Sequence, residues 1–479
     1  MTINSFVKVL LLFITAAVSG VYSAQAQFIE DALRFMQYNG YGSSRAGGLG
    51  VAYNGVADDF AALGYNPAGL SIVRKSEISF GLDFLRQSTT TTFLGRQEVL
   101  GSNSAAPTHL GIVAPFSTKQ GAASVAIGYV YENSFFNTYS FGAFNSSSSI
   151  VQSLINETNV LADNLAFQTY LADTVSGKFK TPINGNLWQQ GFIRERGGIH
   201  NLSGGAGFDL TPNVSVGFTI TGKWGAYSYS REYRESDILN VYNKFDPVNF
   251  ASVDFNNLTL AESIEQQIGG FGGTIGIMGR VENFFRFGLA VKTPTFYQID
   301  EHFGRTLSAV FDDNSKNSAE QPDTRNSYNI TTPFMFSAGL SLHVKGFTFA
   351  AGAEYRDAAQ LQFSDAAPSV ERLNIEMLRT LVGQTIYGLG AEYEIPESPF
   401  VARASYTSVT SPYARDIAGA KNDILALGGG IYLAPNIRLD ILFRKSSVSE
   451  LRVNYGDGQS QYIVDQRPLQ ISAQFTYRY

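Results

Sequence analysis

The sequence predicts an all-β fold: a 14-stranded antiparallel transmembrane β-barrel with a small N-terminal helical hatch plugging the lumen. Three observations lead to it. Segments of strictly alternating apolar and polar residues recur along the chain, their number is fourteen and therefore even, and the connections between them alternate between short and long. Strands with one apolar face, an even strand number and short turns at one end only are typical of outer-membrane barrels.

The first 26 residues form a predicted signal peptide. Lys8 supplies a positive charge, residues 9–18 form an apolar core, and Ala24-Gln25-Ala26 is a small-x-small cleavage site. The apolar core is too short to span a membrane as a helix, which disfavours the alternative of an uncleaved anchor. We therefore leave this segment out of the fold.

The composition restricts the possible function classes. The chain has no cysteine, so disulfides and thiolate metal sites are excluded. A net charge of −6 argues against nucleic acid as a partner. Glycine and aromatic residues are abundant, and no apolar run after the signal peptide is long enough for a membrane helix. Such an exported chain is either soluble or a transmembrane barrel, whose strands carry their apolar residues in alternation.

The last strand, LQISAQFTYRY, shows the alternation most clearly. One face is apolar and carries Leu469, Ile471, Ala473, Phe475, Tyr477 and Tyr479, while the residues between them are polar. The chain ends on Tyr479, which we expect the barrel assembly machinery to recognise; the alternative is a simple member of the aromatic girdle. The same pattern predicts strands near residues 76–91, 107–116, 121–138, 198–210, 213–233, 259–281, 284–302, 326–344, 347–363, 380–395, 399–411, 421–434, 437–454 and 460–479.

The connections between these strands provide an independent test of the barrel. Short connections fall at 117–121, 211–212, 282–283, 345–346, 396–398 and 435–436. The long ones include 139–197, 234–258, 303–325 and 364–379. Short turns are expected on the periplasmic side and long loops outside the cell. A soluble β-sandwich, the alternative fold, gives no reason for this alternation.

The segment before the first strand has the composition of a compact plug. We assign residues 27–74 to a hatch and residues 75–479 to the barrel. Ile29, Leu33 and Met36 are spaced as one face of a short helix. Residues 58–64 predict one or two helical turns, and Asn66-Pro67-Ala68-Gly69 predicts a turn into the first strand. Room for the hatch is expected at the lumen-facing glycines of the wall: Gly205, Gly207, Gly217, Gly276, Gly288, Gly339, Gly352, Gly388 and Gly390.

The run SSRAGGLGVAYNGVADDFAALGYNPAGLSIVRKSEISFGL resembles the N-terminal hatch of the FadL/TodX family of outer-membrane proteins, which pass long-chain fatty acids and aromatic hydrocarbons. The likeness rests on an R-A-x-G-x-G-x-A-Y segment, an A-D-D segment and Y-N-P-A-G-L. The fourteen strands and the long loop after the third strand extend it over the mature chain. The residues that match the hatch motif are Arg45, Gly47, Asp58, Asp59, Asn66, Pro67, Ala68 and Gly69.

The resemblance implies a monomeric barrel in the bacterial outer membrane, closed by the hatch. It further implies that ligand binds an outer groove, moves to a lumen pocket and leaves sideways through a kinked third strand. In that strand, AASVAIGYVYENSFF, Gly128 is the expected kink and lateral gate. The alternative is that Gly128 is small because it packs against the hatch.

Two sets of residues are candidates for ligand binding. Residues 149–176 predict an amphipathic helix whose apolar face, Ile150, Leu154, Leu161 and Leu165, forms a groove for a hydrophobic ligand or, alternatively, packs on other loops. Arg356, Arg403 and Arg444 face the lumen and are placed to hold a carboxylate head group. Inward acids also include Glu354, Glu392 and Asp440, so charge pairing within the protein is the competing use.

The sequence predicts no enzyme, metal or cofactor, because its four histidines are scattered and no nucleophile motif occurs. The expected function is passive uptake of hydrophobic compounds, with a long-chain fatty acid as the first candidate. The alternatives are a barrel for aromatic hydrocarbons or haem, a general porin, a barrel hydrolase, and a surface-binding or structural outer-membrane protein.

Overall fold

The computed structural model describes residues 29–37, 42–118, 121–243, 254–282, 284–416, 419–456 and 460–479. The predicted signal peptide, residues 1–26, lies outside the described residues. Within the described part of the chain, no helix has both the length and the apolar character needed to cross a membrane.

Fourteen antiparallel strands form one sheet that closes on itself, because β14 pairs with β1 and places Arg478 opposite Glu77. Six of the strands are interrupted and consist of two segments. The strands are β1 (Glu77–Phe93), β2 (Arg96–Ser117), β3 (Ala122–Ser134 and Asn137–Asn145), β4 (Leu187–Thr211), β5 (Val214–Ser236), β6 (Phe255–Val281), β7 (Phe285–Lys292 and Phe296–Phe311), β8 (Lys316–Thr331 and Met335–Val344), β9 (Phe347–Asp357 and Gln362–Ser364), β10 (Gly383–Glu394), β11 (Phe400–Val409), β12 (Asn422–Ala434), β13 (Ile437–Lys445 and Val448–Tyr455) and β14 (Ser460–Gln466 and Leu469–Arg478).

Every predicted strand corresponds to one of these fourteen, and the predicted short connections all lie at the same end of the barrel. At the opposite, extracellular end of the barrel, the strands extend beyond their predicted boundaries. Residues 303–325, predicted as a loop, form a hairpin in which β7 and β8 continue to a turn at 312–315. Likewise β1 and β2 meet in a tight turn at Leu94–Gly95. These extensions were missed because strands above the bilayer have no lipid-facing side and therefore no alternating pattern.

The outer surface carries a belt of apolar side chains. In β1 the residues Ile78, Phe80, Leu82 and Phe84 are all exposed, while the residues between them point into the lumen. The same arrangement holds in the other strands, for example at Phe287 and Leu289. Exposed apolar surface of this extent is stable only against lipid, so the strands span a membrane.

The described helices are short. They are α1 (Ile29–Arg34), α2 (Ser44–Leu49), α3 (Ile150–Leu154), α4 (Leu165–Gln168), α5 (Pro368–Glu371) and α6 (Leu373–Thr380), with 3₁₀ turns at Gly50–Gly55, Phe60–Leu63, Pro67–Ile72, Leu161–Asp163 and Ala358–Gln360. Asp173–Val175 and Lys178–Lys180 form a separate small hairpin.

The hatch lies inside the barrel, as predicted, and its turns follow from local chemistry. The side chain of Asp59 caps Phe60–Leu63 by accepting a hydrogen bond from Ala61 N at 2.8 Å. The predicted Asn-Pro-Ala-Gly turn is instead the start of a 3₁₀ helix. Asn66 caps it, and Pro67 occupies the first position, where a fixed φ and a missing N–H are tolerated.

Close approach between hatch and wall requires glycine on the wall. A Cβ on Gly339 would lie 2.2 Å from Gly55 N, and one on Gly217 would lie 2.3 Å from the carbonyl carbon of Pro67. Neither position has space for a side chain. The hatch also contacts the predicted glycines Gly205, Gly207, Gly276, Gly288, Gly352 and Gly390, whereas Gly388 lies against β11.

Substitution of Gly217 by Val is expected to displace the hatch. The added side chain overlaps the Pro67 backbone, and overpacking of this kind costs about 1–3 kcal/mol. Gly217→Val should therefore give steady ion conductance in planar bilayers and a lower unfolding temperature. Gly222→Val on the same strand is the control, since nothing lies within 4 Å of a Cβ there. Equal conductance of the two variants would contradict the close fit.

Candidate functional site

A cavity of about 330 Å³ lies in the lumen above the hatch. Its floor includes Ser43, Ser44 and Gly47 of the hatch. Its lining combines apolar side chains, such as Leu33 of the hatch and Leu442 and Val448 of the wall, with charged ones. The charged residues include Arg34, Asp83, Glu132, Arg356, Arg444 and Glu450. The cavity is therefore not purely apolar, and it suits a ligand with both a hydrocarbon part and a polar head group.

Below the cavity a network of ion pairs joins the hatch to the wall. Arg45 donates from Nε and Nη2 to the Glu392 carboxylate at 2.9 and 2.8 Å, and it also pairs with Asp58. Arg286 of β7 reaches the other Asp58 oxygen at 3.2 Å. Arg403 donates to both Glu392 and Asp440. Because each buried charge has an opposite partner, the network fixes the hatch in place.

The remaining motif residues hold the hatch together. Asp59 accepts hydrogen bonds from Tyr53 OH at 2.7 Å and Ser43 Oγ at 3.0 Å. The Asn66 side chain donates to the Ile277 carbonyl of β6 at 3.1 Å. A Cβ on Gly69 would lie 2.0 Å from the Ala57 carbonyl oxygen, which explains glycine at that position, and Ala68 is completely buried. Gly47 lies beside Leu442 of β13.

The three predicted head-group arginines have different surroundings. Arg356 and Arg444 line the cavity. Arg356 donates to Gln384 Oε1 at 2.8 Å, and Arg444 lies 3.5 Å from Gln470 Oε1. The prediction for Arg403 is wrong, because its side chain is 1% exposed and occupied by Glu392 and Asp440. Sequence alone could not assign its partners, because Glu392 lies on the adjacent strand β10 and Asp440 lies on β13, two strands away.

The extracellular loops form a cap over the barrel. Residues 149–176 contain α3 and α4 separated by Leu161–Asp163 rather than the single predicted helix. Ile150, Leu154 and Leu165 are buried in a core with Phe141 and Tyr233, so the predicted ligand groove is wrong at these three residues and the alternative, packing on other loops, is correct. Leu161 is exposed.

Glu235, near the extracellular end of β5, anchors this cap. Its carboxylate is fully buried and accepts hydrogen bonds from Ser149 Oγ, Ile150 N, Tyr233 OH and Gln189 Nε2. These donors fix the first turn of α3 against the barrel. Burial raises the pKa of Glu235 to about 7, although the four donors act in the opposite direction.

The wall of the barrel has a window between β2 and β3. The two strands pair from Ser117↔Ala122 up to His109↔Val130 and no further. Above that point β3 pairs only with β4. Further up, β3 contacts β2 again through a side-chain hydrogen bond, in which Ser140 Oγ donates to Glu98 Oε2 at 2.8 Å. The cavity and a depression of about 320 Å³ on the outer wall share Ala106 and Tyr131 at this window. Lumen and exterior therefore approach each other here.

The window lies at the level of the membrane. Ala105 and Pro107 on its edge pair with Phe84 and Leu82, which belong to the apolar belt. Pro107 has no N–H to donate toward β3, so it is tolerated on this free edge. A proline inside a strand is thus a sequence signal for a free edge that the alternation of apolar and polar residues does not contain.

Gly128 is not the point where β3 leaves regular pairing. It pairs with Gly111 and Ser203, and a Cβ there would lie 3.1 Å from the Phe60 ring of the hatch. The register shift lies between Tyr131 and Asn133, and β3 breaks at 135–136. The irregularity of β3 thus lies at Tyr131–Asn133, above the predicted kink at Gly128. Gly128 itself serves the alternative role of packing against the hatch.

Comparisons with known proteins give the same architecture. No known family profile and no curated protein matches the sequence. Among solved structures, the Pseudomonas putida toluene transporter TodX aligns with a TM-score of 0.53 at 14% identity, covering 92% of this chain and 99% of TodX. A Pseudomonas aeruginosa FadL homologue aligns with a TM-score of 0.54 at 12% identity, covering 90% of this chain and 98% of the homologue. The CymD monoaromatic hydrocarbon channel aligns with a TM-score of 0.50 at 12% identity, covering 90% of this chain and 97% of CymD.

This chain has the FadL/TodX fold. The resemblance drawn from the hatch motif is confirmed at the level of the fold, including the closed 14-stranded barrel and the helical hatch in its lumen. A closed barrel of this kind with an apolar belt is a protein of the bacterial outer membrane.

The anchor at Glu235 predicts a pH-dependent cap. The folded-state pKa of about 7 lies above the ordinary value of 4.5, so this contribution to stability is complete below pH 4.5 and is lost as the pH rises through 7. Between pH 4.5 and 7 the opening constant of α3 should rise about tenfold per pH unit, and above pH 7 it should level off. Hydrogen exchange of the α3 amides, corrected for intrinsic rates, measures this. Glu235→Gln should remove the dependence, and an unchanged slope in that variant would exclude Glu235 as its origin.

Proposed function

We propose that this chain is a passive outer-membrane channel that takes up hydrophobic compounds, most specifically long-chain fatty acids, and releases them sideways through the β2–β3 window. The carrying observation is that the lumen cavity and the depression on the outer wall share Ala106 and Tyr131 at that window. The solved neighbours include a toluene transporter and a FadL homologue, which favours hydrophobic ligands in general.

The lining of the cavity favours a ligand with a head group over a pure hydrocarbon. Arg356 and Arg444 line the cavity, and an arginine guanidinium holds a carboxylate by charge-assisted hydrogen bonds. Leu442 and Val448 offer apolar contact near Arg444. A fatty acid matches this combination of charged and apolar lining, whereas toluene would use only the apolar part of it.

Release into the membrane is more consistent with the hatch than release into the periplasm. The ion pairs from Arg45 to Asp58 and Glu392 close the lumen below the cavity. Movement of the hatch would separate these buried charges, and an unpaired buried charge is costly. The window needs no such step, because the β2–β3 ladder already ends at His109.

Two further expectations belong to the proposal. The barrel acts as a monomer, and the assembly machinery recognises its C-terminal residue. Tyr479 is exposed on the outer face and stacks on Tyr477 with ring centroids 5.9 Å apart, which leaves it accessible to such a partner.

Mass spectrometry of compounds extracted from the purified protein tests the ligand class directly. Co-purified fatty acids would support the proposal, and aromatic hydrocarbons alone would favour the other ligand class. A steady conductance in planar bilayers or turnover of an ester substrate would contradict it in favour of a porin or a hydrolase.

Replacement of Arg444 is expected to weaken fatty-acid binding. Loss of one charge-assisted hydrogen bond corresponds to about a tenfold increase in Kd for oleate with Arg444→Gln. Binding of oleate methyl ester should change little, because the ester carries no charge. Lys445→Gln is the matched control, since Lys445 is exposed on the outer side of the same strand. Equal effects of Arg444→Gln on acid and ester would argue against a head-group contact.

Obstruction of the window is expected to slow uptake. Ala106→Trp places a large ring in the passage and should reduce uptake of labelled fatty acid about tenfold in a bacterial host without its own fatty-acid channel. Ala105→Trp places the same ring toward lipid on the neighbouring residue and serves as control. Binding to the purified Ala106→Trp protein should persist. Normal uptake by this variant would remove the lateral-release proposal.

A further inference from the structure

The wall of the barrel has a second discontinuity, between β12 and β13. Their ladder ends at Leu425↔Lys445, although β12 continues three residues further, to Asn422. The upper segment of β13 begins at Val448 and pairs only with the upper segment of β14. A continued ladder would have placed Asn422 opposite Val448. The two strands part at this level instead.

The separated hairpin of β13 and β14 bends over the lumen. Both strands break at the same height, at 446–447 and 467–468, and Pro468 lacks the N–H that a regular ladder would use. The far end of the hairpin is held by the opposite wall: Arg231 of β5 donates to the Asn454 carbonyl at 2.9 Å. Gln189 of β4 donates to Tyr455 OH at 2.8 Å. The hairpin closes the top of the barrel and leaves its own base apart from β12.

The lumen cavity reaches both edges of this gap. Asn422 on β12 and Ser446 and Val448 on β13 line the cavity, together with Arg444 directly below. Asn422 Oδ1 is buried and accepts no hydrogen bond from the described residues. A buried acceptor without a donor is uncommon, so this atom is available to a ligand that carries an O–H or N–H group.

The gap and the β2–β3 window lie at different heights. The outward residues at the base of the gap are Lys445 and, in β12, Asp423, which pairs with exposed Lys421 at 3.0 Å. Charged side chains mark the upper boundary of the apolar belt, because they are costly within the hydrocarbon layer. The gap therefore opens at the membrane surface, whereas the window opens within the membrane.

We infer that the gap between β12 and β13 is a side portal, defined by Asn422, Ser446 and Val448, through which a single-chain amphiphile reaches the cavity from the outer surface of the membrane. The inference rests on the proposed function for its ligand class. The polar head passes Ser446 and Asn422 toward Arg444, and the hydrocarbon chain follows along Val448 and Leu442. In this scheme the ligand enters the cavity through the portal and leaves it through the β2–β3 window.

Access to a cysteine in the cavity tests the portal without any transport measurement. The chain has no cysteine, so Ser472→Cys in the cavity wall provides a unique reporter. The membrane-impermeant reagent 2-sulfonatoethyl methanethiosulfonate is added outside vesicles that contain the protein. Ser446→Trp should slow modification about tenfold, because reaction is limited by access. Ser447→Trp, which points outward on the next residue, should leave the rate unchanged. An unchanged rate with Ser446→Trp would overturn the portal.

A reversible cross-link provides the second test and controls for misfolding. Asn422→Cys and Val448→Cys, joined by a short bis-maleimide that contains a reducible disulfide, should slow binding of fluorescent fatty acid, and reduction should restore the rate. Binding at the same rate with the cross-link intact would exclude the portal. If the unmodified protein binds no fatty acid, the proposed function fails, while the thiol-modification experiment still decides whether the portal exists.

Discussion

Within the hydrocarbon layer, every backbone N–H and C=O must find its hydrogen-bond partner inside the protein, because no water is available there. A closed ladder of strands meets this requirement, and the pairing of β14 with β1 completes it. Each place where the ladder stops within this layer therefore requires a structural explanation. The β2–β3 window coincides with Pro107, which has no N–H, and with the bulge at Glu132. Because proline has no N–H and a bulge residue is left out of the ladder, fewer backbone groups lose a hydrogen-bond partner where the two strands separate.

The same close packing determines how the lumen is filled. The 3₁₀ turns of the hatch approach the wall at glycines, so that backbone lies directly against backbone at Gly55 and Gly339. Such an interface has little room for water, and its charges must therefore pair with one another. Arg45, Asp58 and Glu392 satisfy this condition. Apolar fit and charge pairing act together to keep the hatch closed, which is why the proposed exit lies in the side of the barrel.

The sequence predicts those features whose cause is periodic or local. Alternation along each strand predicts the fourteen strands, and the hatch motif predicts the content of the lumen, because lipid on one side and a plug on the other impose the pattern. It does not predict the extensions above the membrane, where loops and water replace lipid. Arg403 is a related case: its inward direction follows from alternation, but its partners Glu392 and Asp440 depend on strand register. Likewise, the apolar face of Ile150, Leu154 and Leu165 is correctly recognised, while the cap that buries it is a tertiary feature.

The heights of the two wall openings give the proposed path a direction. At the level of Lys445 an amphiphile still has its head group in the polar layer, and at the level of Leu82 and Phe84 its chain is among hydrocarbon. Each buried methylene group contributes about 0.8 kcal/mol of favourable transfer free energy. In the proposal, Arg444 and Arg356 hold the head group while the chain moves between the two levels. On the proposed path, transfer of the hydrocarbon chain into lipid is the favourable step, which is consistent with passive uptake.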